Sequence, residues 1–165
     1  DRFAALGASA GGHLVALLGT SDKDAGWDVG ESLDQSSRVQ AVITEAVFSD
    51  FTQPMPNSIA MAIYFATGEL PGTSAQVNVA ASPVTYVTPD DPPFLIIHGE
   101  KDGYAPPAQA QELDAKLRAA GVSSKLVIVK NGEHGLASST GEPASPTAEE
   151  ISQMILDFLN SNLMK

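Results

Sequence analysis

The residues able to do nucleophilic chemistry are few and fall in order along the chain. Gly7-Ala8-Ser9-Ala10-Gly11 is a G-x-S-x-G run, the spacing that sets a serine on a sharp turn between a strand and a helix, with its hydroxyl above the sheet edge. The glycines leave room for such a turn. The N–H of Ala10, the next residue, is the candidate oxyanion donor, and the start of a following helix adds positive potential there. A serine hydroxyl is a weak nucleophile until a base takes its proton. That base is usually a histidine whose tautomer is set by a carboxylate.

The chain has three histidines, so the base is found by elimination. His13 stands four residues beyond Ser9 on the expected helix, in the wrong geometry to receive its proton, and reads as a packing or capping residue. His98 ends an apolar run before Gly99 and reads as a satisfied core histidine. His134, in Asn131-Gly132-Glu133-His134-Gly135, lies in a glycine-flanked loop that can reach over a sheet edge. For the carboxylate, Asp102 sits deeper than Glu100 in the loop after the third apolar run; Glu100 reads as a solvated neighbour. Ser9, Asp102 and His134 are therefore the candidate catalytic residues.

These residues need elements to position them. Four short apolar runs bounded by turn residues read as strands, at 3–6, 39–44, 94–98 and 125–130. Helical patterns follow at 11–18, 107–119 and 146–163, where Leu113 and Leu117 are spaced i to i+4 and Ile151, Ile155, Phe158 and Leu159 share a face. Strands alternating with helices predict an α/β fold with a parallel sheet and right-handed crossovers. Residues 20–38 are polar and read as a surface loop. Residues 45–93 read as an insertion carrying seven prolines and a short apolar helix at 59–65, either covering a pocket or packing on the sheet. The whole is expected to be one domain, 1–165.

Composition excludes several classes of function. Twenty acidic residues against nine Lys and Arg give a net charge of −11, which repels a nucleic-acid backbone. With no cysteine, disulfides, thiolate metal sites and cysteine nucleophiles are out, while the compartment stays open, secretion and the periplasm included. No H-x-x-x-H or H-E-x-x-H motif occurs and no Lys follows Gly7–Gly12, so neither a metal, a phosphate loop nor any other cofactor is expected. No apolar run reaches the roughly 18 residues of a bilayer span, and residues 1–20 lack the marks of a signal peptide. The chain reads as soluble, without a membrane partner.

Taken together, Gly7-Ala8-Ser9-Ala10-Gly11-Gly12-His13-Leu14, Pro92-Pro93-Phe94-Leu95-Ile96-Ile97-His98-Gly99-Glu100-Lys101-Asp102 and Gly132-Glu133-His134-Gly135 resemble the α/β-hydrolase superfamily. The Ser-Ala-Gly-Gly-His-Leu run and Ser36-Ser37-Arg38-Val39-Gln40-Ala41 resemble bacterial carboxylesterases of the feruloyl and acetyl xylan esterase type. The resemblance implies Ser9 as nucleophile, Asp102 as acid and His134 as base, acting on small esters or on acyl and feruloyl esters of plant polysaccharide. It also implies that the chain matches the C-terminal half of the fold, about four parallel strands with flanking helices. The family's N-terminal strands and its His-Gly-Gly oxyanion loop are then absent, the strand at 3–6 is an unpaired edge, and a homodimer is left open. Ala46-Val47-Phe48-Ser49-Asp50-Phe51 departs from the Gly-Pro-Thr-Asp-Phe pattern expected there. A non-catalytic hydrolase-like module, and amide hydrolases of the kynurenine formamidase or prolyl oligopeptidase kind, are the competing readings.

Overall fold

The computed structural model describes residues 2–22 and 25–164. Its elements alternate as the apolar runs predict: β1 (Ala4–Ala8), α1 (Ala10–Thr20), β2 (Ala41–Glu45), α2 (Asn57–Thr67), α3 (Gln76–Ala80), β3 (Phe94–Gly99), α4 (Pro107–Ala119), β4 (Ser124–Val129) and α5 (Ala148–Leu163). The four strands form one parallel sheet in the order β1-β2-β3-β4.

Side-chain alternation along the two central strands divides the core into two layers. Val42, Phe94 and Ile96 pack with Ala16 of α1 and with Ala110, Leu113 and Leu117 of α4. Their neighbours Ile43, Leu95 and Ile97 face the other way, with Val129, onto Ile151, Ile155, Phe158 and Leu159 of α5. A strand covered on both faces is apolar along most of its length, which is why Ala41–Ile43 and Phe94–Ile97 read as unbroken runs. Each large side chain buried this way contributes about 1.5–3 kcal/mol.

Several boundaries differ from the sequence reading. β1 runs on through Gly7 and Ala8, which have no large side chain to signal a strand, because its pairing with β2 extends to Ala8 opposite Glu45. It is paired on that side, with Phe3 and Leu6 61% and 53% exposed at the sheet edge. α5 begins at residue 148 rather than 146, since Thr147 caps it: its hydroxyl accepts from Glu150 N–H, and its own N–H donates to the Glu150 carboxylate. Thr20, buried, still belongs to α1; beyond it the described part of the 20–38 stretch is loop, and Lys23 and Asp24 lie outside the described residues. The helix foreseen at 59–65 is α2, and it packs through Ile59 and Ile63 on Phe48, Phe51 and Ala105. These partners lie in the segments after β2 and β3 and not in the strands, so the expected packing on the sheet itself is not what α2 shows. No helix among the described residues is long and apolar enough to cross a membrane.

Candidate active site

Parallel strands end together, and the loops after β1, β2, β3 and β4 all leave the same edge of the sheet. Ser9 is the single residue between β1 and α1. It has φ 54° and ψ −118°, a left-handed conformation forced on a residue with a Cβ. Two bonds hold it there: its N–H donates to Glu45 O at 2.8 Å, and its carbonyl accepts His13 N–H at 3.0 Å. The motif's glycines differ in what they do. A Cβ on Gly7 would lie 2.3 Å from Gly11 O, whereas one on Gly11 would meet nothing within 4 Å. The steric demand thus falls on Gly7 and not, as the motif reading has it, on both glycines. Ala10 opens α1, so its N–H has no acceptor inside the helix and stands beside Ser9.

Asp102 is buried in the loop after β3. Its Oδ1 accepts the N–H of Tyr104 at 2.8 Å and of Ala105 at 2.9 Å, a turn closed on the carboxylate itself. Its Oδ2 faces His134 Nδ1 at 2.9 Å, and His134 Nε2 lies 2.8 Å from Ser9 Oγ. A carboxylate only accepts, so Nδ1 carries the proton and the bare Nε2 accepts from the serine hydroxyl. The structure thus brings Ser9, His134 and Asp102, drawn from three loops, into one hydrogen-bonded line.

The His134 loop is itself pinned. Lys130 and Ser145 exchange backbone bonds at 2.7 and 3.1 Å, and Lys101 N–H donates to Gly132 O at 2.8 Å. Asn131, at φ 59°, gives its N–H to Glu100 Oε2 at 3.0 Å. Glu100, read from sequence as a solvated neighbour, is exposed as expected and also ties the two loops; it is Asp102 that meets His134. A Cβ on Gly99 would sit 2.3 Å from Glu133 O, so the close crossing of these loops needs glycine there. The rings of Tyr104 and Phe48 flank the imidazole, with centroids 5.3 and 6.2 Å away. Beside it opens a cleft of about 520 Å³ lined by Lys101, Tyr104, Glu133, His134 and Ser138.

The rings of the other two histidines are hydrogen-bonded elsewhere. His13 donates from Nδ1 to Phe48 O at 3.0 Å and stacks on Phe51 at 4.7 Å, and burial holds its pKa below the ordinary value. It is a packing residue, as its position implies. His98 is fully buried and donates from Nε2 to Ala105 O at 2.9 Å, but no protein group reaches its Nδ1. The expectation of a satisfied core histidine therefore holds for one ring nitrogen only.

One supporting network has no signature in the sequence. Gln109 of α4 accepts the N–H groups of Ser49 and Asp50 on Oε1, both at 2.8 Å, and its carbonyl accepts the Ser49 hydroxyl at 2.6 Å. Ser82 Oγ takes the Phe51 N–H at 2.8 Å. These bonds fix the 46–51 turn, which carries Phe48 to the imidazole and follows Ala46 at φ 49°. Among the described residues, no group of three or more His, Asp or Glu side chains gathers as metal ligands do.

Comparison with known proteins places this arrangement. The BD-FAE family matches residues 1–117. The chain is 33% identical to the esterase LipQ of Mycobacterium tuberculosis over 96% of its own length and 38% of that protein's. It is 30% identical to esterase LipC of the same organism, again over 38% of the relative. The chain thus spans well under half of these relatives. Among solved structures, the truncated form of a carbohydrate esterase from gut microbiota superposes with a TM-score of 0.79 at 25% identity, over 97% of this chain and 59% of that one. With four parallel strands, flanking helices and a serine at the β1–α1 turn, the chain forms part of an α/β-hydrolase fold and belongs to the BD-FAE family.

Proposed function

We propose that the chain carries the catalytic residues of a serine carboxylesterase, with Ser9 as nucleophile, His134 as base and acid, Asp102 as the orienting carboxylate and the Ala10 N–H as an oxyanion donor. The observation that supports this is the unbroken line Asp102–His134–Ser9, at 2.9 and 2.8 Å. Ser9 Oγ attacks the ester carbonyl carbon as its proton passes to His134 Nε2, and Asp102 stabilises the imidazolium. The oxyanion forms against the Ala10 N–H at the positive end of α1, whose first turn has no acidic residue to offset that charge. Collapse of the intermediate breaks the bond to the alcohol, which leaves with the proton from Nε2. Water then gives a proton to Nε2 and attacks the acyl carbon; Ser9 departs, regains the proton and frees the acid.

The substrates proposed are short acyl or feruloyl esters, free or attached to plant polysaccharide. The likeness to a carbohydrate esterase supports this class, as do the aromatic rings of Tyr104 and Phe48 beside His134. Residues 45–93 are proposed to be an insertion in the single domain 1–165, shaping the acyl side through Phe48, Phe51 and Ile63, which share a small core.

The test is p-nitrophenyl acetate hydrolysis by the purified chain beside Ser9→Ala and His134→Ala, with a feruloyl ester, a formamide and a prolyl amide as parallel substrates. Turnover of the esters that falls by about 10³-fold or more in both variants supports the assignment. Turnover that survives both variants, or amide cleavage that outpaces ester cleavage, refutes it.

A further inference from the structure

We propose that His98 is a positioning residue for the Asp102–His134 pair, tying down from beneath the turn that carries Asp102. The inference rests on the triad reading above. β3 is apolar from Phe94 through Ile97 and then places a fully buried histidine at its end. An imidazole there leaves Nδ1 without a protein partner, a cost that any apolar side chain in its place would avoid. What the ring gains is on its other edge.

Nε2 lies 2.9 Å from Ala105 O and 3.4 Å from Asp102 Oδ2. A carbonyl only accepts, so the proton is on Nε2, and its positive edge faces the carboxylate oxygen that His134 Nδ1 approaches from outside. Desolvation keeps the imidazole neutral by pushing its pKa below the ordinary value. His98 is therefore a fixed dipole and not a competing cation. Asp102 and Ala105 are also joined directly, since Ala105 N–H donates to Oδ1 at 2.9 Å. The turn is thus held at Ala105 N by Asp102 and at Ala105 O by His98. With the carbonyl end released, the turn can tilt and carry the carboxylate off the His134 axis, and a displacement of about 1 Å costs on the order of 100-fold in rate.

The test uses His98→Leu, which removes the donor, and His98→Gln, whose amide nitrogen can stand near the place of Nε2. With p-nitrophenyl acetate, His98→Leu should lose about 10- to 100-fold in kcat with KM within about twofold, and His98→Gln should recover a clear part of it. By proton NMR, the low-field His134 Nδ1–H resonance should vanish in His98→Leu and persist in wild type and in His98→Gln. Should His98→Leu not fold, nitrogen-15 NMR of the wild-type protein decides: at pH 8 the neutral His98 ring must carry its proton on Nε2. An Nδ1–H tautomer, or a His98→Leu protein that keeps both its kcat and the low-field resonance, overturns the proposal. Equal damage in His98→Leu and His98→Gln does so as well. The NMR readouts need no turnover, so a failure of the esterase reading shows separately, as a wild type whose hydrolysis does not depend on Ser9.

Discussion

If Ser9 is held in a strained conformation, a glycine should relieve the strain, and this can be measured without any substrate. At φ 54° and ψ −118°, a residue with a Cβ stores about 1–3 kcal/mol that glycine does not. Glycine in turn costs about 0.4–1 kcal/mol more than alanine in unfolded-chain entropy. The comparison is best made between Ser9→Gly and Ser9→Ala, because both lose Oγ and its bond to His134, and that loss cancels. Ser9→Gly should then be more stable than Ser9→Ala by up to about 2.6 kcal/mol, and by about 1.3 kcal/mol at the middle of both ranges. For a chain of this size the middle value is a difference in Tm of about 3–5 °C. Urea unfolding followed by circular dichroism gives the free energy, and equal m-values would show that the two variants unfold from comparably compact states. An alanine variant more stable than the glycine variant refutes the claim that the turn is strained.

Two further outcomes follow from the packing and electrostatics around the site. Gly99→Ala places a Cβ 2.3 Å from Glu133 O; it should cost about 1–3 kcal/mol in unfolding experiments and lower kcat by pushing the His134 loop outward. A variant with wild-type stability and activity would mean that the crossing is looser than described. Glu45 is half-buried, and desolvation raises its pKa above the ordinary 4.5, so its charge opposes folding at neutral pH. Glu45→Gln should therefore be more stable than wild type at pH 7. The gap should close as pH falls through the raised pKa and below 4.5, where the carboxyl is protonated whether the chain is folded or not. A gap that persists at pH 3 would point to packing and not charge.

The order of elements is legible because it depends on burial alone. β2 and β3 are mostly apolar because both faces are covered, and α4 and α5 show their inner faces by spacing, whereas α3 has no such signal. That Ser9, Asp102 and His134 meet is legible for a different reason: each stands just past the end of a strand, where a parallel sheet gathers its loops. What the sequence hides is the set of side-chain bonds to distant backbone. Gln109 and Ser49 meet across 60 residues, and neither type nor spacing marks a glutamine for that task. Glu100 is the exposed acid it reads as, but its bond to the 131 turn is not visible in the sequence. The difference between Gly7 and Gly11 is invisible in the motif, because it depends on how close the first helical turn comes to the end of β1.

The precision of the site comes mainly from backbone approach. Ser9 and His134 are separated by 125 residues and stand 2.8 Å apart. Each arrives on a loop whose path is fixed by backbone bonds and by one glycine that a neighbouring carbonyl nearly touches, Gly7 for the serine and Gly99 for the histidine. The side chains add the last contacts: Asp102 closes a turn on itself, and its remaining oxygen is left for His134. In the proposed chemistry the imidazole, 26% exposed, is the group that moves protons between serine, substrate and water. The carboxylate behind it is sealed from solvent and holds it to one tautomer. A change that widens either glycine crossing should therefore damage the chemistry as surely as removing a reacting group, even though no reacting atom has been touched.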